Sequence, residues 1–493
     1  MYPGKSIGRL IVVSLAMQKC VALVLIIVAI APGLACGQIL HSGFEEKNVN
    51  ARLSVNHWDT YDQPVTSRLD SLHRHSGHYS MKVKGGKGMK SVAQRVSYDS
   101  KGFQQLLLRA FVKTDSLHGR AGLLAIITNS RGQMTYSHGS EGMEITKNAD
   151  WTRFEIPIIT EPGVNQILVG GAIYGQGVAW FDDFELTIPE QKHEATVRPK
   201  VVEDYVNEFT AIVKHNALNF EQIDQQKFTL ALAELTQSAT TKEECYPAFR
   251  YAIKILNDGH SQFLAPRFAK DLSAEAGAQR IDFAEGRMVE GKAYLKVPGF
   301  KGGSEKDQRL YADSLQRLIA RLDREQPSGW IVDLRENNGG NCWPMLAGLG
   351  PLIEDEECGY FFVKGAYSGP WNYSHGASRI GQEKQCSVTS PYILTRKNLK
   401  TVVLQSSRTL SSGEVIAVAF KGRPNTVVMG SISGGLTTSN AMFRLSDGAV
   451  VNLATSINAD RNKKQYLSGV DPDVKLQPGE DALKRALVLI GAN

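Results

Sequence analysis

Cysteine is scarce in this chain: six in 493 residues, and two of these, Cys20 and Cys36, lie in an apolar N-terminal stretch. The spacing of the other four, Cys245, Cys342, Cys358 and Cys386, matches no zinc pattern, so no metal is expected. In an exported chain four thiols can pair in three ways, and sequence does not choose among them. A basic stripe interleaved with aromatics is also missing. With a formal charge of only +6, no nucleic-acid partner is expected. There is no internal repeat and no low-complexity tract. Beyond the N-terminus no apolar run is long enough to span a bilayer. Nothing in the chain asks for a cofactor.

What is present is an ordinary globular composition, 42% hydrophobic and 22% charged, in a chain too long for one core. Residues 1–37 read as a secretory signal: Lys19 precedes the apolar run Cys20 to Cys36, and small residues surround a cleavage point near Gly37. The expectation is export to the periplasm, cell surface or medium. A membrane anchor is the competing reading, and Pro32-Gly33 favours cleavage over it. A lipid anchor on Cys36 is disfavoured, because Gly33-Leu-Ala-Cys36 is a poor lipobox.

Residues 38–190 carry short β-branched and aromatic runs separated by turn residues, such as Gln105 to Val112 and Gly122 to Ile127. They predict an all-β sandwich. Residues 191–200 form a polar linker. Residues 201–270 read as a small helical module, with Val202, Tyr205, Val206, Phe209 and Val213 on one stripe. Residues 285–493 alternate strand and helix, which predicts an α/β core built from crossover units.

Chemistry concentrates at Thr409-Leu-Ser-Ser-Gly-Glu414, between the strand Thr401 to Leu404 and the helix-like run Val415 to Phe420. Helix-start N–H groups have no intrahelical partner, and the helix dipole is positive there. A hydroxyl at that point can attack a carbonyl while neighbouring N–H groups hold the oxyanion. The plain alternative is an N-cap serine with Glu414 closing a capping box.

Two further motifs precede it, Leu256-Asn-Asp-Gly-His-Ser261 and Asp333-Leu-Arg-Glu-Asn-Asn-Gly-Gly340, and Gly469-Val-Asp-Pro-Asp473 follows. In this order they resemble the carboxy-terminal-processing (tail-specific) serine peptidases and the related tricorn core. That family carries L-x-D-x-H-[ST], D-L-R-x-N-x-G-G, S-[AS]-x-E and G-V-x-P-D elements. The resemblance spans about Val201 to Leu476 and implies a ClpP/crotonase-like core acting on proteins or peptides. It places the nucleophile at Ser411 and an oxyanion hole at Ser412, Gly339 and Gly340. The closing Gly177 to Leu186 resembles galactose-binding-like jelly rolls, which implies either glycan binding or a docking module.

The processing peptidases take a lysine about twenty-five residues after the serine as base. Here that position is Leu436, and Lys421 reads as a solvated helix-end charge. The tricorn-like branch uses a histidine, which corresponds to His260. Histidine titrates near neutrality and can take the serine proton. Ser261, Asp460 and Asp471 are the candidates for orienting it. Cys342, beside the glycine turn, ranks below the serine as a nucleophile. A PDZ domain has no room in the roughly thirty residues between Phe263 and Lys292. An α/β-hydrolase is disfavoured, because Thr409 stands where its elbow needs glycine. The alternative function is an inactive ligand- or glycan-binding protein on the same scaffold. Oligomeric state is not readable.

Overall fold

The computed structural model describes residues 39–45, 58–60, 67–129, 134–139, 144–188, 198–269, 281–354 and 356–491. The signal with Cys20 and Cys36, and most of the linker, lie outside these. Two compact units are present: residues 207–223 with 256–493, and residues 27–206 with 224–255.

The N-terminal unit is sheet-rich. Strands β1 (Asp59–Thr60), β2 (Ser67–Asp70), β3 (Ser80–Ser97), β4 (Gln104–Asn129), β5 (Met134–Gly139), β6 (Ala149–Thr160) and β7 (Val164–Thr187) share one sheet. Its order is β1-β3-β7-β4-β5, with β2 on β3 and β6 on β4. Alternate residues point to one face, so Leu106, Leu108, Ala110 and Val112 of β4 are buried in turn. Each leucine or valine among them contributes roughly 1.5–3 kcal/mol on leaving water.

Helix α1 (Lys200–Asn216) comes next, followed by α2 (Gln225–Leu235) and α3 (Tyr246–Ile255). Ala231 and Tyr251 pack with Phe103 and Ile159 of the N-terminal unit. The Tyr251 hydroxyl donates to Glu161 at 2.8 Å. Packing therefore groups residues 224–255 with the N-terminal sheet and divides the stretch that reads as one helical module. The helical stripe shows which face is apolar, not which partner it meets.

In the C-terminal unit, β8 (Gln262–Leu264) and β9 (Glu285–Val289) lead to β10 (Lys292–Lys296). Helix α4 (Glu305–Arg324) then leads to β11 (Trp330–Asp333), and α5 (Cys342–Ile353) follows. The Ser304 hydroxyl caps α4 by accepting from Asp307 N–H, and Tyr311, Leu315, Ile319 and Leu322 form its buried face. Strand β16 (Thr401–Gln405) feeds α6 (Ser412–Phe420), then β17 (Thr426–Gly430), β20 (Val474–Lys475) and α7 (Ala482–Gly491). The sheet order is β20-β17-β16-β11-β10-β9, parallel except for the β9–β10 pair. This is the expected α/β core. Strands β11 and β16 pair in parallel with Asp333 beside Leu404, so the loops after both strands leave the sheet side by side.

A second, antiparallel sheet was not foreseen from sequence. It contains β12 (Glu356–Val363), β13 (Ala366–Ser374), β14 (Ala377–Ile380), β15 (Glu383–Ser387), β18 (Thr438–Arg444) and β19 (Val450–Asp460). The order is β15-β14-β13-β12-β19-β18, with β8 also on β19.

Candidate active site

Ser411 sits at the turn from β16 into α6, with φ 51° and ψ −120°. A positive φ is uncommon for serine and marks local strain, which surrounding contacts must hold in place. Glu414 supplies one such contact. Its fully buried carboxylate accepts the Ser411 N–H at 2.8 Å, the Ser433 hydroxyl at 2.6 Å and the Gly435 N–H at 2.8 Å. Burial pushes this carboxyl up, while those three donors and the Leu436 N–H pull the other way. Glu414 thus does half the work of a capping box and also ties down residues 433–436.

The glycine turn supplies a second support. Asn337 is buried, and its carbonyl accepts the Leu410 N–H at 3.0 Å. A Cβ on Gly339 (φ +98°) would come 2.9 Å from Ser411 Cβ, and one on Gly340 (φ +113°) 1.9 Å from Phe300 O. Neither position tolerates a side chain. Their N–H groups differ. Gly339 N–H already donates to Asn337 Oδ1 at 3.1 Å, so in this arrangement it is not free for an oxyanion. The N–H groups of Gly340 and Ser412 have no acceptor among the described residues. The Ser412 hydroxyl donates to Gly340 O, which fastens the two segments together. Upstream, the buried Asp333 takes a forked contact from Arg335 and a 2.6 Å bond from the Tyr294 hydroxyl. Burial raises its pKa, but those bonds outweigh it and hold the carboxylate low.

His260 reaches this turn from the loop before β8. Its Nε2 lies 3.2 Å from Ser411 Oγ, although 151 residues separate the two in sequence. Its Nδ1 lies 2.8 Å from Thr438 Oγ1, on β18. Asp258 Oδ1 accepts the His260 N–H, and Asn440 Nδ2 donates to the His260 carbonyl, both at 2.9 Å. Burial pulls the imidazole below its ordinary pKa, against the Asp258 charge and the Thr438 backbone, which raise it. It is therefore neutral at pH 7. In the tautomer in which Nδ1–H donates to Thr438 Oγ1, Nε2 is left to accept from Ser411.

None of the three expected orienting groups touches the ring. Ser261 donates to Asp258 Oδ2 at 2.6 Å and accepts from Ala454 N–H at 2.9 Å. Asp460 accepts from the Tyr466 hydroxyl and caps the turn at Asn462 and Lys464. Asp471 is exposed and lies 3.7 Å from Lys464 Nζ. Thr438 was missed, although it stands only two residues beyond Leu436.

Other readings also change. Among the described residues, Cys342, Cys358 and Cys386 are free thiols. Burial pushes the Cys342 thiol up to about 12, which keeps it protonated and unsuited to attack. Lys421 is not solvated: it is buried, donates to Asp471 O at 3.0 Å and pairs with Asp473. Its role is to pin the Gly469 to Asp473 segment. Lys421→Met is expected to lower stability by about 1–3 kcal/mol in a thermal melt, below the usual figure for a broken buried pair because Asp473 is 42% exposed. The folded protein should keep its Ser411 chemistry. Among the described residues, no group of three or more His, Cys, Asp or Glu could hold a metal ion.

Residues 291–476 match the sequence model of the family described as Peptidase family S41. The nisin-resistance protein of Lactococcus lactis subsp. lactis is 30% identical over 260 residues, covering 52% of this chain and 76% of that protein. The carboxy-terminal processing protease of Bacillus subtilis (strain 168) is 28% identical over 171 residues, 34% of this chain and 32% of that protein. A lipoprotein structure from Streptococcus agalactiae aligns with TM-score 0.50 and 20% identity, over 61% of this chain and 99% of that one.

Proposed function

The chain belongs to peptidase family S41, and from that premise we propose that it hydrolyses peptide bonds through an acyl-enzyme on Ser411, with His260 as general base. The observation that carries this reading is the 3.2 Å approach of His260 Nε2 to Ser411 Oγ. Nε2 takes the hydroxyl proton as Oγ attacks the substrate carbonyl. The oxyanion is held by Ser412 N–H and Gly340 N–H, at the positive start of α6. His260 then gives its proton to the leaving amine, and water repeats the cycle on the ester. The C–N bond breaks first and the acyl–O bond second, so protons and electrons balance without a cofactor.

The proposal includes an exported enzyme, on the strength of the apolar stretch between Lys19 and Gly37. It reads residues 38–190 as a jelly-roll module that docks the enzyme, in keeping with the alternating burial from Leu106 to Thr114 along β4. The resemblance to a nisin-resistance protein makes nisin a first compound to test. The experiment is treatment of the full chain with a fluorophosphonate probe, followed by peptide mass mapping. A covalent adduct on the peptide holding Ser411 is expected. Correctly folded protein that never labels would favour the inactive binding scaffold instead.

A further inference from the structure

His260 is held from β18 at two points, and the two holding residues alternate along that strand. Thr438 Oγ1 lies 2.8 Å from the ring Nδ1, and Asn440 Nδ2 lies 2.9 Å from the backbone carbonyl of the same residue. Residues two apart on a strand face the same way, so a single face of β18 meets both the ring and the main chain of His260. We propose that Thr438 and Asn440 act as a positioning pair for His260, a neutral clamp standing where a catalytic triad would place a carboxylate. This inference rests on the reading of Ser411 and His260 as the reacting pair.

Strand β19 explains why the clamp is in register. It pairs with β18 so that Ile457 faces Thr438, Ala454 faces Asn440 and Asn452 faces Met442, with the extra residue Thr455 bulged on β19 between the first two pairs. It also pairs with β8 so that Asn452 faces Gln262. The Ser261 hydroxyl then accepts the Ala454 N–H at 2.9 Å, next to His260. The histidine loop and the clamp strand are thus measured off one common strand. A one-residue slip of β18 would turn Thr438 and Asn440 to the other face.

The Asn440 amide has only one workable orientation, since a turned amide would set two oxygens against each other at the His260 carbonyl. That orientation leaves Asn440 Oδ1 buried with no partner among the described residues. An unsatisfied buried acceptor is unfavourable. It is retained here where the opposite end of the amide holds the base, the pattern expected of a functional compromise.

A threonine hydroxyl differs from a carboxylate in what it does for the ring. It holds the ring at a set angle, but as both donor and acceptor it does not choose the tautomer, and it adds no full charge to stabilise the imidazolium. The one charged group whose field is seen at the ring is Asp258, from the preceding loop; Thr438 and Ser411, which touch the ring, and Asn440, which touches the His260 carbonyl, are all uncharged. An acid at position 438 should therefore change basicity as well as geometry.

The test is the second-order rate of fluorophosphonate labelling of the full chain between pH 4.5 and 8. Thr438→Val is expected to lower the rate at least about tenfold, and Thr438→Ser to stay within about threefold of the unaltered protein. Asn440→Ala should fall between them. Thr438→Asp is expected to move the acidic limb upward by about one pH unit, because an opposite charge beside the ring favours the imidazolium. Unchanged rate and limb in Thr438→Val would overturn the proposal. If that variant does not fold by circular dichroism, an unmoved limb in Thr438→Asp would overturn it equally. Absence of labelling in the unaltered protein, or labelling that survives Ser411→Ala, would instead sink the peptidase reading itself.

Discussion

Ser411→Ala is expected to abolish covalent labelling, and His260→Ala to slow it by about 10²–10⁴-fold. The serine variant removes the only atom that forms the adduct. The histidine variant leaves Oγ in place but takes away the proposed proton acceptor 3.2 Å from it. The two variants should not add, because each disables one half of the same proton transfer. Stability should change little for Ser411→Ala, whose hydroxyl supports no other contact described above. The pH dependence has a definite sign. Labelling requires neutral imidazole, and burial holds the His260 pKa below its ordinary value. Activity should therefore persist below pH 6.5 and fall only as pH drops through the lowered pKa. An acidic limb lying well above 6.5 would contradict this environment for His260, as would labelling that survives His260→Ala undiminished.

Glu414→Ala carries the second large effect, and it acts on stability and chemistry together. Three donors converge on that carboxylate within 2.8 Å: Ser411 N–H, Ser433 Oγ–H and Gly435 N–H. Truncation strands all three in a buried site. Each unsatisfied donor is unfavourable by about 1–3 kcal/mol, and partial relaxation keeps the sum below full additivity, so about 3–5 kcal/mol is expected. For a unit of this size that corresponds to a fall in Tm on the order of 10 °C. The folded remainder should label slowly as well. Without Glu414 nothing described here holds the Ser411 N–H, and the positive φ at Ser411 should relax. Glu414→Gln should recover part of the stability, since one amide oxygen still accepts, while its NH₂ faces a donor. A thermal melt paired with the labelling rate separates the two effects. A melt within 1 °C of the unaltered protein would show that the carboxylate is not the anchor described.

Much of the site was legible because it is local. A strand that stops, a serine pair and a helix that starts are all readable within a dozen residues around Ser411. The paired glycines at 339 and 340 announce a backbone that approaches something closely, and the structure shows Ser411 Cβ and Phe300 O at that approach. The four motifs in order pointed to the S41 family, and the sequence of β10, α4, β11 and α5 followed from alternating apolar periods. The antiparallel sheet was not legible. Strand β13 begins with four exposed residues, Ala366 to Gly369, and carries no clean alternation to mark a buried face. Thr438 went unseen for the same reason, since no residue of its strand is buried and a lone threonine carries no chemical signal. Lys421 was misread because a charge at a helix end is usually wet, and only the fold shows Asp473 beside it.

The sequence by itself determined where a nucleophile turn could form, because helix-start electrostatics and glycine backbone freedom act over a few neighbouring residues. It also determined that a parallel core would surround that turn, since apolar periodicity dictates which faces are buried. The family resemblance named His260 for this turn, but only the tertiary structure brings Thr438 to its ring. His260, Thr438 and Ser411 come from three distant segments, and β19 sets the histidine loop and the clamp strand in register. That register is a property of strand pairing across the second sheet, and no local propensity encodes it.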